Sequence, residues 1–85
     1  RYQVQLGALA SEAAARAEWE RLNRRLGDLL DDRRPQVMRF EREGMPTMFR
    51  LRTGSFSDAA AARAFCDVAK AKGAPACAPI NQSGG

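Results

Sequence analysis

Two stretches of this chain follow one plan: QVQLGALASEAAARA, from Gln3 to Ala17, and RLRTGSFSDAAAARA, from Arg50 to Ala64. Each opens with alternating apolar and polar residues, meets a glycine, and becomes an alanine-rich helical pattern. Period-two alternation marks a strand with one buried face, and the amphipathic helix after it needs an apolar partner of its own. Setting Gly7 on Gly54 brings Tyr2 onto Phe49, Val4 onto Leu51, Gln5 onto Arg52, Leu9 onto Phe56 and Arg16 onto Arg63. Alanine matches carry little weight in such a composition, so the likeness is a structural pseudo-repeat and not proof of duplication. With 85 residues the natural count is one domain, whose small core would gain from a staple.

In the first unit Tyr2, Val4 and Leu6 point one way and Gln3 and Gln5 the other, and Gly7 is expected to end the strand. Ser11 suits an N-cap, with Glu12 in the first turn. Ala15, Trp19, Leu22 and Leu26 share a helical face, which makes Trp19 a core residue and not an exposed platform. Gly27 is expected to end or interrupt this helix, and DLLDD reads as a short extra turn before Pro35. The second strand lies in PQVMRFEREG. Its facing is open, because Met38 and Phe40 argue for one register and Val37 for the other, and a slip of one residue swaps the faces.

EGMPT carries turn chemistry. Met45 in it reads as a gap filler. MFRLRTG is the third strand, with Phe49 and Leu51 on one face and Met48, Arg50 and Arg52 on the other. Ser57 or Asp58 caps the second helix, whose core face holds Ala62, Phe65, Cys66 and Ala69. Gly73 follows as a C-cap, and ACAPI makes a short last strand, placed at an edge because Pro79 has no N–H to donate. The order β-α-β-β-α-β predicts an α+β, RNP/ferredoxin-like fold: a four-stranded antiparallel sheet with two helices packed on one face. The domain is expected over residues 2–80, cut from a longer protein, with residues 81–85 as a flexible tail.

The chain has no histidine, which removes His-based acid–base catalysis, Ser-His and Cys-His nucleophile systems and most zinc sites. Its acidic residues cluster in helix-surface positions and in DD and ERE runs beside arginines, so no enzyme activity, metal site or cofactor is expected. No apolar stretch approaches the roughly 20 residues that span a bilayer. The net charge is +4, which suits nucleic acid, an anionic membrane surface or an acidic glycan.

YQVQLGAL with Trp19 after it, then FRLRTGSFSDAAAARAFC and the KGAPAC ending, resembles the SPOR domain, the sporulation-related repeat of bacterial envelope proteins. The resemblance covers Tyr2 to about Ile80. It implies a periplasmic peptidoglycan-binding module, part of a larger exported or membrane-anchored protein, that prefers glycan strands stripped of stem peptides at division septa. It implies that glycan lies on the open sheet face, with Gln5 among the residues that matter, Ala8 where a small polar residue often stands, and Met48 as the outward residue where an aromatic stands.

The residues themselves fit such a ligand. Gln both donates and accepts, which suits amides and hydroxyls, and Arg50 and Arg52 can grip carboxylates. The candidate ligand-binding set is therefore Gln5, Arg50 and Arg52, with Gln3 and Met48 secondary. These side chains also suit a merely solvated face. The expected partner is denuded glycan, with no nucleic acid and with membrane contact only through an anchor elsewhere. The rival readings are an RRM-like RNA-binding module, which would need outward aromatics on the two central strands, and a protein-interaction domain using the same face.

Cys66 and Cys77 complete the expectations. From Cys66 to Gly73 a helix rises about 10 Å, and a strand returning at about 3.3 Å per residue brings Cys77 level with it. A disulfide is expected if the domain is exported, and two buried thiols otherwise.

Overall fold

The computed structural model describes residues 1–82. The elements are β1 (Tyr2–Leu9), α1 (Glu12–Leu26), β2 (Gln36–Phe40), β3 (Met48–Phe56), α2 (Ala59–Ala71) and β4 (Ala78–Asn81), with a 3-10 turn at Gly27–Leu30. The strands make one antiparallel sheet in the order β2-β3-β1-β4. Both helices pack on one side of it, giving the α+β, ferredoxin-like arrangement that the element order predicts.

Local chemistry explains the helix limits. The Ser11 hydroxyl accepts from the Ala14 N–H at 3.0 Å, and Asp58, not Ser57, caps α2 by accepting from the Ala61 N–H at 2.8 Å. At the far end of α2 the Ala74 N–H donates to the Ala69 carbonyl and the Gly73 N–H to the Lys70 carbonyl. That pair of bonds is a Schellman motif, and it needs the positive φ of 113° that Gly73 supplies. The expected helical stripes, Ala15, Trp19, Leu22 and Leu26 on α1 and Ala62, Phe65, Cys66 and Ala69 on α2, are all buried. They meet Val4, Leu6 and Leu51 from the sheet, with Leu30 from the 3-10 turn closing the same core.

The two glycines of the pseudo-repeat do not end their strands. Gln5 pairs with Arg52 and Gly7 with Leu51, which leaves Leu6 as an extra residue in β1; Gln3 pairs with Gly54 and Tyr2 with Phe56, which leaves Ser55 extra in β3. Each is a bulge, and a bulge lets a strand continue while shifting its facing by one residue. So Val4 and Leu6 face the helices before the first irregularity and Leu9 packs on the core after it. Likewise Leu51 and Thr53 face inward before the second, and Phe56 after it.

Two further differences are local. Met45 does not fill a gap: it lies in the β2–β3 loop with 59% of its surface exposed, where the turn closes by a Met45 N–H bond to the Arg42 carbonyl. Asn81 belongs to β4 and pairs with Tyr2, and the Gln82 N–H donates to the Arg1 carbonyl, so the last strand extends one residue beyond the expected ACAPI. The rest of the expected tail, residues 83–85, lies outside the described residues. Among the described residues no helix is long and apolar enough to cross a membrane.

Cys66 in α2 and Cys77 just before β4 are joined by a disulfide, with their α-carbons 5.2 Å apart and both side chains buried. It ties α2 to the last, four-residue strand. Cross-linking a loop this short removes unfolded-state entropy worth about 2–3 kcal/mol. Urea unfolding with and without a reductant is therefore expected to show a loss of about 2–3 kcal/mol on reduction. Gly73→Ala is expected to destabilise by about 1–2 kcal/mol through its left-handed backbone, read by the same unfolding curves. A variant as stable as the parent would show that the α2 terminus relaxes.

Candidate functional site

The helices cover one face of the sheet and leave the other open. On β1 the burial of Val4 and Leu6 sends Gln3 and Gln5 to the open side. On β3 the burial of Leu51 and Thr53, both at 0% exposure, sends Arg50 and Arg52 there. Pairing fixes the neighbours, since directly opposed residues share a face. Gln5 stands opposite Arg52, Met38 opposite Arg50, Gln36 opposite Arg52 on its other side, and Ile80 opposite Gln3.

The open register of the second strand is settled by Val37, which packs on the core. Gln36, Met38 and Phe40 consequently face outward. This supplies an aromatic ring on the open face. It is a residue that the sequence reading did not assign to the site, and it lies on an edge strand and not on the two central ones. The signal was present as the period-two pair Met38 and Phe40, but one apolar residue against two could not decide the register. What decides it is non-local: the Thr53 hydroxyl donates to the Arg34 carbonyl at 2.8 Å and pins the chain as it enters β2.

Polar groups on this face are joined across strands. Arg52 Nε donates to Gln5 Oε1 at 2.9 Å. The Arg50 guanidinium lies over the Phe40 ring, its Cζ 3.6 Å from the ring centroid, and Arg42 approaches the same ring at 5.1 Å. Gln3 Nε2 donates to Gln36 Oε1. Gln3 is only 7% exposed, so it braces β1 to β2 more than it offers an open contact. Met48 sits opposite Phe40 and is half-buried. The structure thus gathers Gln5, Arg50, Arg52 and Met48 on one surface, adds Phe40, Met38 and Gln36, and sets the largely buried Gln3 in the floor of the same face.

A groove of about 420 Å³ runs along this surface between the arginines and β4, with Met38 and Ile80 as its apolar lining and Gln36 among its polar groups. Its electrostatics are one-sided. None of the ten Asp and Glu residues lies on a strand, whereas Arg39, Arg50 and Arg52 do. Arg39 turns aside to Glu41 at 2.8 Å. The ion pairs of the described residues, Arg16–Glu12, Arg21–Glu18 and Arg39–Glu41, leave Arg50 and Arg52 out. Burial, and after it the neighbouring Arg50 charge, pulls the Arg52 guanidinium below its usual range, though it stays a cation at neutral pH. Such a surface can hold an extended, polar, anionic ligand by hydrogen bonds from amides and guanidinium groups, with Met38 and Ile80 for its apolar parts.

On the helix side a third arginine has a different task. Arg33 lies over the rings of Phe56 and Phe65, at 4.1 and 4.9 Å, and closes the core end next to β2. Arg24, Arg25 and Lys70 fall in the last turns of α1 and α2, where cations complement the helix dipoles. These charges are accounted for by the fold.

Searches of curated proteins and of solved structures found no match. A scan against protein-family models matches residues 1–81 to the SPOR domain, which is nearly all of the 85-residue chain. With the match, the strand order and the open polar sheet in agreement, the chain belongs to the SPOR domain family, a family of peptidoglycan-binding domains.

Proposed function

We propose that this domain binds peptidoglycan glycan strands that have lost their stem peptides, and that it brings a larger envelope protein to the division septum. The observation that carries this reading is the acid-free open sheet, with Gln5, Arg50 and Arg52 in one continuous surface and Phe40 beside them. Glycan offers hydroxyls and N-acetyl groups, which the Gln5 amide can meet as donor and acceptor. Sugar rings present apolar faces, and Met38, Met48 and Ile80 supply matching surface, while the Phe40 ring holds the Arg50 guanidinium in place. The domain acts by equilibrium binding and not by chemistry. Its site is a shallow face, and exposed contacts of this kind are individually small, so affinity comes from several acting together. A periplasmic location agrees with the disulfide, since oxidising compartments preserve such bonds.

The RNA reading is less well supported. RRM-type binding stacks bases on aromatics of the two central strands, and here those outward positions are Gln3, Gln5, Arg50 and Arg52. The single outward ring stands on an edge strand and carries an arginine over it.

The test is co-sedimentation of the oxidised domain with isolated sacculi, before and after amidase treatment, with an RNA gel shift in parallel. Binding is expected to rise as stem peptides are removed. Gln5→Ala combined with Arg50→Ala is expected to keep the melting transition and to lower sacculus binding by about a hundredfold or more, two charge-assisted or amide contacts being lost together. Unchanged binding by this folded double variant would exclude the proposed face.

A further inference from the structure

We infer that what this sheet reads on its ligand is a carboxylate borne by the sugar on a short ether-linked side group: on a peptidoglycan strand, the lactyl carboxylate of muramic acid that appears when the stem peptide is cut away. This rests on the glycan-binding reading above and adds to it the chemical group recognised. A stripped strand differs from an intact one in two ways. It lacks the bulk of the peptide, and it carries a new negative charge beside the ring. Hydrolysis adds water across the lactyl amide, leaving a carboxylate on the sugar and an ammonium on the departing peptide. A domain that selects stripped strands can respond to the missing bulk or to the new charge.

Several features of this face point to the charge. Arg50 and Arg52 stand two residues apart on one strand, so their side chains leave the sheet in the same direction about 7 Å apart. Both are only partly exposed, and neither belongs to an ion pair among the described residues. Two like charges held near each other in a half-buried surface are costly without an anion, and an anion between them offsets that cost. The depression of the Arg52 guanidinium by burial and by Arg50 is the same cost seen from the unbound state.

The arginines are also held in a form suited to a carboxylate. Arg50 rests on the Phe40 ring, which contacts the flat face of the guanidinium and leaves its N–H edge for a ligand. Arg52 is anchored through Nε to Gln5, so its two terminal nitrogens remain to donate. Fixing both side chains before binding lowers the ordering cost that a mobile arginine would meet. A planar fork of donors matches the two oxygens of a carboxylate, whereas a neutral amide offers one acceptor and brings an N–H towards a cation. The groove beside the pair, with Met38 and Ile80 on its lining, gives the attached sugar a place to lie.

The experiment modifies the ligand and leaves the protein intact. Denuded glycan strands are capped by carbodiimide coupling with methylamine, which turns each carboxylate into a small neutral amide without restoring a peptide. Binding of the wild-type chain to capped and uncapped strands is compared by co-sedimentation. Capping is expected to weaken binding by about tenfold or more, the scale of a lost charge-assisted pair. Raising salt from about 50 to about 500 mM is expected to weaken binding to uncapped strands and to leave binding to capped strands little changed. Arg50→Gln and Arg52→Gln, each checked for an unaltered melting transition, are expected to bind uncapped strands more weakly and to respond less to capping.

Equal binding of wild-type protein to capped and uncapped strands overturns the inference while leaving the glycan-binding reading in place. Absence of binding to uncapped strands overturns both. Displacement of the glycan by a short single-stranded RNA at matching concentration would show a general polyanion surface, and would also overturn it.

Discussion

Val4, Leu6 and Leu51 enter the helix layer with almost no exposure, and the rest of the molecule follows from where they go. A strand has only two faces. Once these side chains are packed under Trp19, Leu22 and Leu26, their neighbours Gln5, Arg50 and Arg52 must emerge on the other side. The core therefore sets the composition of the open face without touching it. Any change that slipped β3 by one residue would bury two guanidinium groups and expose Leu51 and Thr53, a cost far beyond the margin by which a chain this short is stable.

That margin is reinforced at places where the core alone is thin. The last strand has four residues and includes Pro79, so its backbone ladder is weak, and the Cys66–Cys77 disulfide holds it to α2. At the far edge β2 has five residues, and it is held by Val37 in the core and by the Thr53 hydroxyl on the Arg34 carbonyl. Arg33 lies across the rings of Phe56 from β3 and Phe65 from α2. The two central strands need no such help, since they pair with each other along most of their length.

What could be read from the sequence was whatever depends on near neighbours in the chain. The stripes of α1 and α2, the Ser11 cap and the outward set Gln5, Arg50 and Arg52 follow from spacing alone. What could not be read depends on partners distant in sequence. Gly7 and Gly54 look like strand ends because glycine commonly is one, yet each sits beside a bulge that exists only because β1 and β3 are paired. Phe40 could not be assigned because Val37 and the Met38–Phe40 pair argue for opposite registers, and the choice falls to the long-range fixing of β2. Gln3 alternates like an open contact, but its neighbour Gln36 arrives from another strand and covers it. Met45 is apolar in type, and only the loop around it shows that nothing packs there.

The placement of charge also bears on how the molecule meets its partner. Of the net charge of +4, two positive charges, Arg50 and Arg52, stand on the open face of the strands, and no acidic residue lies on a strand. A body with such a cationic face experiences a torque in the field of an anionic polymer. It turns that face forward before contact, so a larger share of collisions is productive than for a uniformly charged particle of the same net charge. Orientation is then set during approach and the close contacts set how long the complex lasts. On the proposed reading, this division would let a small domain with modest contacts sample a wall rapidly, leave wherever anionic groups are sparse, and accumulate where they are dense.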